Sequence, residues 1–230
     1  MWYTPTAELS GAALEEHRAV LSREELVQRS RFIPGALPRD FTAARALVRT
    51  TLSRYADVPP REWKFGRTAR GRPYVSSPRG SLLEFSLSHT NGLVCCGVAV
   101  ARDVGVDAEW LERRGDLETV ARRSFAASEL ADVASQPAAL RRRRTLEIWT
   151  LKEAYAKARG LGLSLPLNRF ALDAVGADGR VVFSPDVGAD PRRWCFSQSM
   201  PTPAHVMAIA ATRQTDQVQF RVCSTVRAPE

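Results

Sequence analysis

The spacing of apolar residues changes from helical to strand-like twice along this chain of 230 residues. Residues 8–31 and 37–60 carry apolar side chains at helical intervals, whereas residues 82–110 alternate or run continuously as strands do. Helical spacing returns over 116–160, and 170–212 again has the pattern of strands. Helices followed by antiparallel strands, repeated in two halves, predict an α+β fold. A chain of this length suits one large domain or two small ones.

Local signals set several element boundaries. Asp40 is positioned to cap the helix predicted over 37–60, which two consecutive prolines end. A long helix over 139–160 ends at Gly160. Residues 177–179, Ala-Asp-Gly, predict the turn of a hairpin. We place the division between the two halves after residue 103, giving an N-terminal half 1–103 and a C-terminal half 104–230.

The composition is that of an ordinary globular protein, with 44% apolar and 25% charged residues. No apolar run approaches the roughly 20 residues that cross a bilayer, and the N-terminus lacks the pattern of a signal peptide. None of the four cysteines forms a C-x-x-C pair, and Cys95 and Cys96 lie in an apolar run. These features predict reduced thiols in a cytoplasmic protein that has no membrane partner.

The formal net charge of +8 favours an anionic partner. Nucleic acid, a polyphosphate cofactor and an acidic protein satisfy this charge equally well, and charge alone does not choose among them.

The sequence GVDAEW, residues 105–110, places two carboxylates on one strand face. Side chains alternate along a strand, so Asp107 and Glu109 point the same way, about 7 Å apart. Two such carboxylates repel each other unless a cation lies between them. Mg²⁺ prefers carboxylate oxygens and commonly shares its coordination with substrate phosphates. The alternative is the solvated face of an edge strand, since Asp-x-Glu is a common tripeptide.

The helix WTLKEAYAKARGLG, residues 149–162, contains two of only three lysines in a chain that otherwise uses arginine. Trp149, Glu153 and Lys157 fall close to one helix face. Glu153 and Lys157 could simply form a surface ion pair, worth about 0.3–0.5 kcal/mol. The apolar surroundings and the choice of Lys instead favour a phosphate or proton-transfer site. Lys152 points about 100° from Glu153 and has no assigned role at this stage.

Two further segments carry phosphate-binding chemistry. Ser88 and His89 end a predicted strand, where they could hydrogen-bond a phosphate or have a purely structural role. In FGRTARGRPYV, residues 65–75, Arg67 and Arg72 offer guanidinium groups that match phosphate oxygens. The alternative for this segment is a basic hairpin tip.

The four motifs occur in the order GRP, SLSHTNG, GVDAEW and WTLKEAYAKARGLG, within a resemblance that extends from about residue 28 to residue 212. In this order and spacing the chain resembles the Sfp-type 4′-phosphopantetheinyl transferases. The resemblance implies the 4′-phosphopantetheinyl transferase fold, in which two similar α+β halves form a pseudo-dimer in one chain, with coenzyme A in the cleft between them. It also implies transfer of the 4′-phosphopantetheine arm to a carrier-protein serine, with adenosine 3′,5′-bisphosphate as the other product.

Carried onto this sequence, the resemblance assigns roles to nine residues. Mg²⁺, or Mn²⁺, would be held by Asp107, Glu109 and Glu153. Glu153 would also be the general base, and Lys157 would bind the pyrophosphate. The remaining residues would bind the nucleotide end of coenzyme A: Arg67, Arg72, Pro73, Ser88 and His89. The chain departs from some relatives at Gln28, where they have a basic residue, and at Ala108, where they often have Ile.

The resemblance also predicts the partners. An acidic acyl or peptidyl carrier protein, of fatty-acid, polyketide or nonribosomal-peptide type, would be steered by Arg122–Arg123 and Arg141–Arg144. Phe125 and its apolar neighbours would form the docking surface, although a solvated helical face explains these residues equally well. We expect a monomer that binds no nucleic acid. An inactive coenzyme A-binding relative and a basic nucleic-acid-binding protein remain the alternatives.

Overall fold

The structure is a computed structural model, and it describes residues 1–33, 35–175, 180–185, 190–214 and 218–226. The chain divides into two compact units. The first unit is Met1–Ala101 with Arg221–Glu230, and the second unit is Arg102–Phe220. Among the described residues, no helix is both long and apolar enough to cross a membrane.

Groups of helices and groups of strands follow one another along the chain. In the described part, the α-helices are α1 (Gly11–Ala19), α2 (Arg23–Ser30), α3 (Ala36–Leu52), α4 (Leu117–Ser124), α5 (Ala127–Ser135) and α6 (Ala138–Ala158). The strands are β1 (Trp2–Pro5), β2 (Lys64–Arg67), β3 (Pro73–Ser77), β4 (Leu83–Thr90), β5 (Leu93–Val100), β6 (Val104–Trp110), β7 (Phe170–Val175), β8 (Arg180–Pro185), β9 (Trp194–Thr202), β10 (His205–Thr212) and β11 (Cys223–Ser224).

The division of the chain differs from the predicted halves 1–103 and 104–230. The observed boundary lies two residues earlier, and the segment from Arg221 belongs to the first unit instead of the second. The reason is β11, which pairs in parallel with β1 through Cys223 opposite Trp2. Local sequence patterns do not predict this pairing, because it joins residues more than 200 positions apart.

The sheet of the first unit has the strand order β11-β1-β5-β4. Strand β5 is antiparallel to both β1 and β4, and β2 and β3 form a separate antiparallel pair. The apolar stripe of α3 packs on this sheet, with Leu47 and Leu52 in one buried cluster with Phe85 and Val94. Burial of this stripe, more than helix propensity, stabilises α3.

The sheet of the second unit has the strand order β6-β10-β9, with β10 antiparallel to both neighbours. Strands β7 and β8 form their own antiparallel pair. Helix α6 supplies Leu151, Ala154 and Tyr155 to the core beneath it. The Tyr155 ring meets Phe170 edge-on at 5.1 Å between centroids and Trp194 at 4.8 Å, which adds aromatic packing to the buried area.

Both units have the same topology. Each runs through a strand, two short helices, a long helix, a two-stranded hairpin and two antiparallel strands. In each sheet the last of these strands lies between the first and the one before it, as β1-β5-β4 and β6-β10-β9. The predicted pair of similar α+β halves is therefore confirmed in topology, although the sequence itself shows no clear repeat.

Each unit also contains one buried ion pair in the same topological place. In the first unit Arg49 of α3 binds Glu25, near the start of α2, at 2.9 Å, and donates to the carbonyl of Trp63. In the second unit Lys152 of α6 binds Glu129, near the start of α5, at 2.7 Å. We call these the first-unit pin (Glu25–Arg49) and the second-unit pin (Glu129–Lys152).

Two predicted element boundaries are wrong. Helix α3 begins at Ala36, so Asp40 lies inside it, buried, and accepts a hydrogen bond from Thr6 at 2.5 Å instead of capping the helix. The same helix ends at Leu52, well before the prolines. Helix α6 does stop where predicted, and Gly160 follows it with a φ of +62°. The predicted hairpin turn at 177–179 lies outside the described residues.

Candidate active site

Strand β6 and helix α6 touch through their backbones at Gly105. A Cβ atom at this position would overlap the carbonyl oxygen of Ala154 and the amide nitrogen of Ala158. Only glycine permits this approach, which brings the residues that follow Gly105 on the strand close to one face of the helix. The partner on the other side of β6 is β10, with Asp107 opposite Ala208 in the register.

Asp107, Glu153 and Lys157 form one interacting group. The Lys157 ammonium lies 2.6 Å from Asp107 Oδ1, and the Asp107 side chain is only 8% exposed. Glu153 Oε1 is buried and has no hydrogen-bond partner among the described residues. Burial and then the Asp107 charge raise the pKa of Glu153, while Lys157 lowers it. The site therefore concentrates negative charge that one lysine only partly offsets.

Glu109 belongs to the same electrostatic group but faces different partners. Its Oε1 accepts a hydrogen bond from Trp149 Nε1 at 3.0 Å and forms an ion pair with Arg113. Burial, followed by the charge of Asp107, raises the pKa of Glu109 to about 7, although Arg113 acts to lower it. Trp149, at the start of the predicted motif, thus orients a carboxylate of the neighbouring strand.

The predicted residues of the first unit lie on two segments. Arg67 and Pro73 are opposite each other at the end of the β2–β3 pair. The Arg67 guanidinium donates to the Gly71 carbonyl at 2.9 Å, which closes the turn. Arg72 reaches from this turn to Glu84 of β4 at 3.3 Å, in a partly exposed ion pair.

Ser88 and His89 occupy the other end of β4. Their partners on β5 are Cys95 and Val94. Ser88 is buried and His89 is exposed, as the alternation of side chains along a strand requires. The structure therefore gathers Arg67, Arg72 and Pro73 at one turn and places Ser88 and His89 at the far end of the neighbouring strand.

The arginine run of α6 separates into two pairs. Arg143 and Arg144 pair with acidic side chains, at 2.8 Å to Glu147 and 2.6 Å to Asp132 respectively. Arg141 instead donates to backbone carbonyls, including that of Gln136 at 2.9 Å. Arg142 donates to the Leu111 carbonyl at 2.7 Å. Carbonyl groups orient these two guanidinium groups without neutralising them.

A groove lies between α4, α5 and α6, with apolar Ala121, Leu130 and Val133 among its lining residues. Arg122 and Arg141 also line it. Phe125 is not part of a surface: it is 2% exposed and packs with Ala121 and Ile148. The sequence-based expectation that Phe125 forms a docking surface is therefore wrong, because Phe125 faces the core where α4 ends.

Known proteins resemble the chain over most of its length. The model of the 4′-phosphopantetheinyl transferase superfamily matches residues 103–210. The 4′-phosphopantetheinyl transferase HetI of Nostoc sp. is 35% identical over 165 residues, covering 71% of this chain and 69% of the relative. The chain belongs to the 4′-phosphopantetheinyl transferase family.

Two further similarities differ in strength. A putative 4′-phosphopantetheinyl transferase of Synechocystis sp. is 27% identical over 95% of this chain and 89% of its own length. A solved holo-[acyl-carrier-protein] synthase of Thermotoga maritima is 24% identical, with a TM-score of 0.38 over 49% of this chain and 63% of that one. Membership of the transferase family rests on the sequence comparisons.

The carboxylates of this transferase fit a hard divalent cation in part. In the part of the chain that the structure describes, no group of three His, Cys, Asp or Glu side chains converges to hold a metal ion. Asp107 and Glu153 nevertheless offer oxygen donors, and Glu153 Oε1 is buried without a partner among the described residues. Such a pair of carboxylates suits Mg²⁺ or Mn²⁺. The Oε1 atom of Glu109 is engaged by Trp149 and Arg113.

The sequence-based reading missed the role of Lys152 and did not single out Glu129. Both side chains are fully buried, and Lys152 Nζ also donates to the carbonyls of Leu167 at 2.7 Å and Phe170 at 2.6 Å. Glu129 accepts from the backbone amides of Ala126 and Leu172. The unusual lysine was visible in the sequence, but its partner lies 23 residues away on another helix.

Proposed function

We propose that this transferase moves the 4′-phosphopantetheine arm of coenzyme A to a serine of an apo carrier protein. The observation that carries the proposal is the partly buried group of Asp107, Glu153 and Lys157 on β6 and α6, in a chain of the 4′-phosphopantetheinyl transferase family. This group unites concentrated negative charge with one flexible cation. Transfer of a phosphoryl-linked arm requires positioning, charge neutralisation and a proton acceptor.

Asp107 and Glu153, with Glu109, would hold Mg²⁺ or Mn²⁺. When bound, the cation supplies neutralisation of the pyrophosphate charge. Lys157 would bind a pyrophosphate oxygen. Its side chain is 30% exposed, and its long stem allows the ammonium to move from Asp107 toward a substrate phosphate.

Glu153 is the proposed proton acceptor. In the transfer, the serine oxygen of the carrier forms a bond to the β-phosphorus of coenzyme A. The bond from that phosphorus to the bridging oxygen breaks, and adenosine 3′,5′-bisphosphate leaves. The serine proton passes to Glu153, whose Oε1 atom is buried and has no hydrogen-bond partner among the described residues. A carboxylate positioned within reach of the serine hydroxyl can accept this proton.

The first unit would bind the nucleotide end of coenzyme A. His89, which is exposed, and Ser88 would contact the 3′-phosphate, and Arg72 and Pro73 would lie along the adenine and that phosphate. Arg67 would add a second guanidinium to the same end. Each of these assignments follows the family motif and the chemistry of its side chain.

The carrier would be an acidic protein of the acyl or peptidyl type. Support comes from the net charge of +8 and from the groove between α4, α5 and α6, which Arg141 and Arg142 line together with apolar residues. Backbone carbonyls orient Arg141 without neutralising its charge, so it can attract an acidic helix. We expect the enzyme to act as a cytoplasmic monomer, which sedimentation analysis would test.

Incubation with coenzyme A, Mg²⁺ and a panel of apo carrier proteins tests the proposal, with intact mass as the readout. A carrier that gains the phosphopantetheine mass supports transfer, and the Glu153→Gln enzyme is the negative control. Coenzyme A binding without any mass gain would indicate an inactive relative. Tight, sequence-selective retention of DNA on a filter, without transfer, would favour a nucleic-acid-binding protein instead.

A further inference from the structure

The second-unit pin, Glu129–Lys152, is completely enclosed. Both side chains are 0% exposed. An ammonium group has three N–H donors, and three acceptors lie within reach: Glu129 Oε2 at 2.7 Å, the Leu167 carbonyl at 2.7 Å and the Phe170 carbonyl at 2.6 Å. The ammonium also lies 4.3 Å from the centroid of the Phe170 ring. These contacts together hold Lys152 in one place.

The acidic partner is fixed equally well. Glu129 Oε2 accepts from the Ala126 amide at 2.7 Å, which also completes the first turn of α5. Glu129 Oε1 accepts from the Leu172 amide of β7 at 2.9 Å. The pin therefore joins three pieces of the second unit: helix α5, helix α6 and the segment that enters β7.

A buried ion pair of this kind is a costly way to gain stability. Removing two charges from water is expensive, and well-packed apolar side chains often serve stability equally well. What a fully satisfied pair does supply is a defined geometry, because each contact has a required direction. The question is which geometry this pin defines.

The answer lies in the next residue along the helix. Glu153 follows Lys152 directly and points about 100° from it around α6, and Lys157 lies about 40° from Glu153. With Lys152 fixed against α5 and β7, helix α6 cannot rotate about its axis, so Glu153 and Lys157 face β6. On that opposite side, Gly105 sets the distance between the backbones of β6 and α6.

We infer that Lys152 and Glu129 are positioning residues for the transfer reaction, which fix the rotation of α6 and so place Glu153 and Lys157 against Asp107. This inference rests on the proposed function, since it assigns the pin to that same site. Neither residue contacts the substrate; both act through Glu153 and Lys157.

The test replaces the whole pin and uses the other unit as the matched control. The variant is Lys152→Met with Glu129→Gln, which leaves no uncompensated buried charge. The control is Arg49→Met with Glu25→Gln, which removes the buried ion pair at the same topological place in the first unit. Circular dichroism establishes that each variant is folded before any assay.

Both variants are expected to lower the melting temperature to a similar extent. Only the second-unit variant should lower kcat, on the order of 100-fold, because an error of about 1 Å in placement costs that much. Its KM for coenzyme A should rise by a much smaller factor, because Lys157 is only one of the residues proposed to bind coenzyme A. A crystal structure of the cation-free variant should show Lys157 Nζ displaced from Asp107 Oδ1, which lie 2.6 Å apart in the wild type.

A folded second-unit variant with the wild-type kcat and an intact Lys157–Asp107 contact would overturn the inference. An equal loss of kcat in the first-unit control would do the same, because the pins would then act through stability alone. If the double variant does not fold, Lys152→Gln with Glu129→Gln replaces it, because this polar pair also leaves no uncompensated buried charge; unchanged kcat and an unmoved α6 in that variant would also overturn the inference.

Failure of the proposed function would look different. The wild-type enzyme would then transfer phosphopantetheine to no carrier, whereas the position of α6 in the crystal structure of the variant would still decide whether the pin fixes this helix.

Discussion

The two units share a topology but differ at the positions that correspond to the proposed active-site residues. The first residue of the central strand pairs with Pro5 in the first unit and with Trp110 in the second. Trp2 of β1 and Asp107 of β6 each lie three residues before these positions, so they correspond to each other. Aligning the two pins makes Arg54 the counterpart of Lys157 and Thr50 the counterpart of Glu153.

The corresponding pairs make corresponding contacts. In the second unit the Lys157 ammonium meets Asp107 at 2.6 Å. In the first unit the Arg54 guanidinium lies over the Trp2 ring at 4.3 Å, and Trp2 donates to the Tyr55 hydroxyl at 2.9 Å. A cation near the C-terminal end of the long helix, facing the first strand, is thus a feature of both units: Lys157 lies in the last turn of α6 and Arg54 two residues after α3. Among these corresponding residues, carboxylates occur only in the second unit. The group of Asp107, Glu153 and Lys157 therefore differs from the corresponding part of the first unit in a few side chains on a shared topology.

The largest expected effect is that of replacing Glu153, compared with replacing the corresponding residue of the first unit. Glu153→Gln should lower kcat about 10²–10⁴-fold, because the serine loses its proton acceptor, with little change in the melting temperature. Thr50→Ala, at the corresponding position of the first unit, should leave kcat unchanged. Transfer assays on both variants check this, and full activity in Glu153→Gln would remove Glu153 from the role of base.

The contact between β6 and α6 should be nearly as sensitive. Gly105→Ala places a methyl group against the backbone of α6, so we expect a loss of about 1–3 kcal/mol in the free energy of unfolding. Transfer should fall as well, because Glu153 moves relative to Asp107. Gly11→Ala, where a Cβ has open space, is the control. Urea unfolding measures the free energy of unfolding of both variants. A value for Gly105→Ala equal to that of the wild type would contradict the close contact.

Lys157 should compete with a divalent cation for Asp107. Lys157→Met should tighten Mn²⁺ binding in the absence of coenzyme A by about tenfold or more, since an adjacent positive charge opposes the cation by more than about 1.4 kcal/mol. The same variant should lose transfer activity. Arg54→Met should leave Mn²⁺ binding unchanged. Electron paramagnetic resonance of Mn²⁺ gives the affinities; equal affinity in wild type and Lys157→Met would refute the competition.

The smallest effect concerns the stability of the cation-free protein. The pKa of Glu109 is raised from 4.5 to about 7, so this carboxylate lowers stability as pH rises from 4.5 through 7. Glu109→Gln removes that cost. We therefore expect the variant to gain on the order of 1 kcal/mol over the wild type at pH 8, and less at pH 5. Thermal melts of both proteins at pH 5 and pH 8 measure this gain. A gain that is larger at pH 5 than at pH 8 would contradict the prediction.

The sequence predicted most of the residues that the second unit brings together in the proposed site. Strand periodicity brought Asp107 and Glu109 together, and helical periodicity did so for Glu153 and Lys157; these are local rules that need no tertiary structure. The sequence pattern could not predict the partner of Lys152, because Glu129 lies on a different helix, 23 residues away. It also misplaced Asp40, whose aspartate is a good helix cap in isolation but is buried here against Thr6.

Other parts of the fold depend on contacts that are distant in sequence. The pairing of β11 with β1 joins opposite ends of the chain, and the burial of Phe125 depends on Ile148 of α6. The repeat of the two units was hidden for a related reason. What the units share is strand order and the location of a buried ion pair, and the second of these uses Arg in one unit and Lys in the other.

The direct meeting of β6 and α6 at Gly105 has a consequence for how such an enzyme can diverge. Because main-chain atoms of the two elements touch, the distance between the two backbones at this point is set by atomic radii that every sequence shares. The residues that line the groove between α4, α5 and α6 are not part of this contact. If the groove binds the carrier, as proposed, its side chains can change over evolution while this backbone contact stays the same.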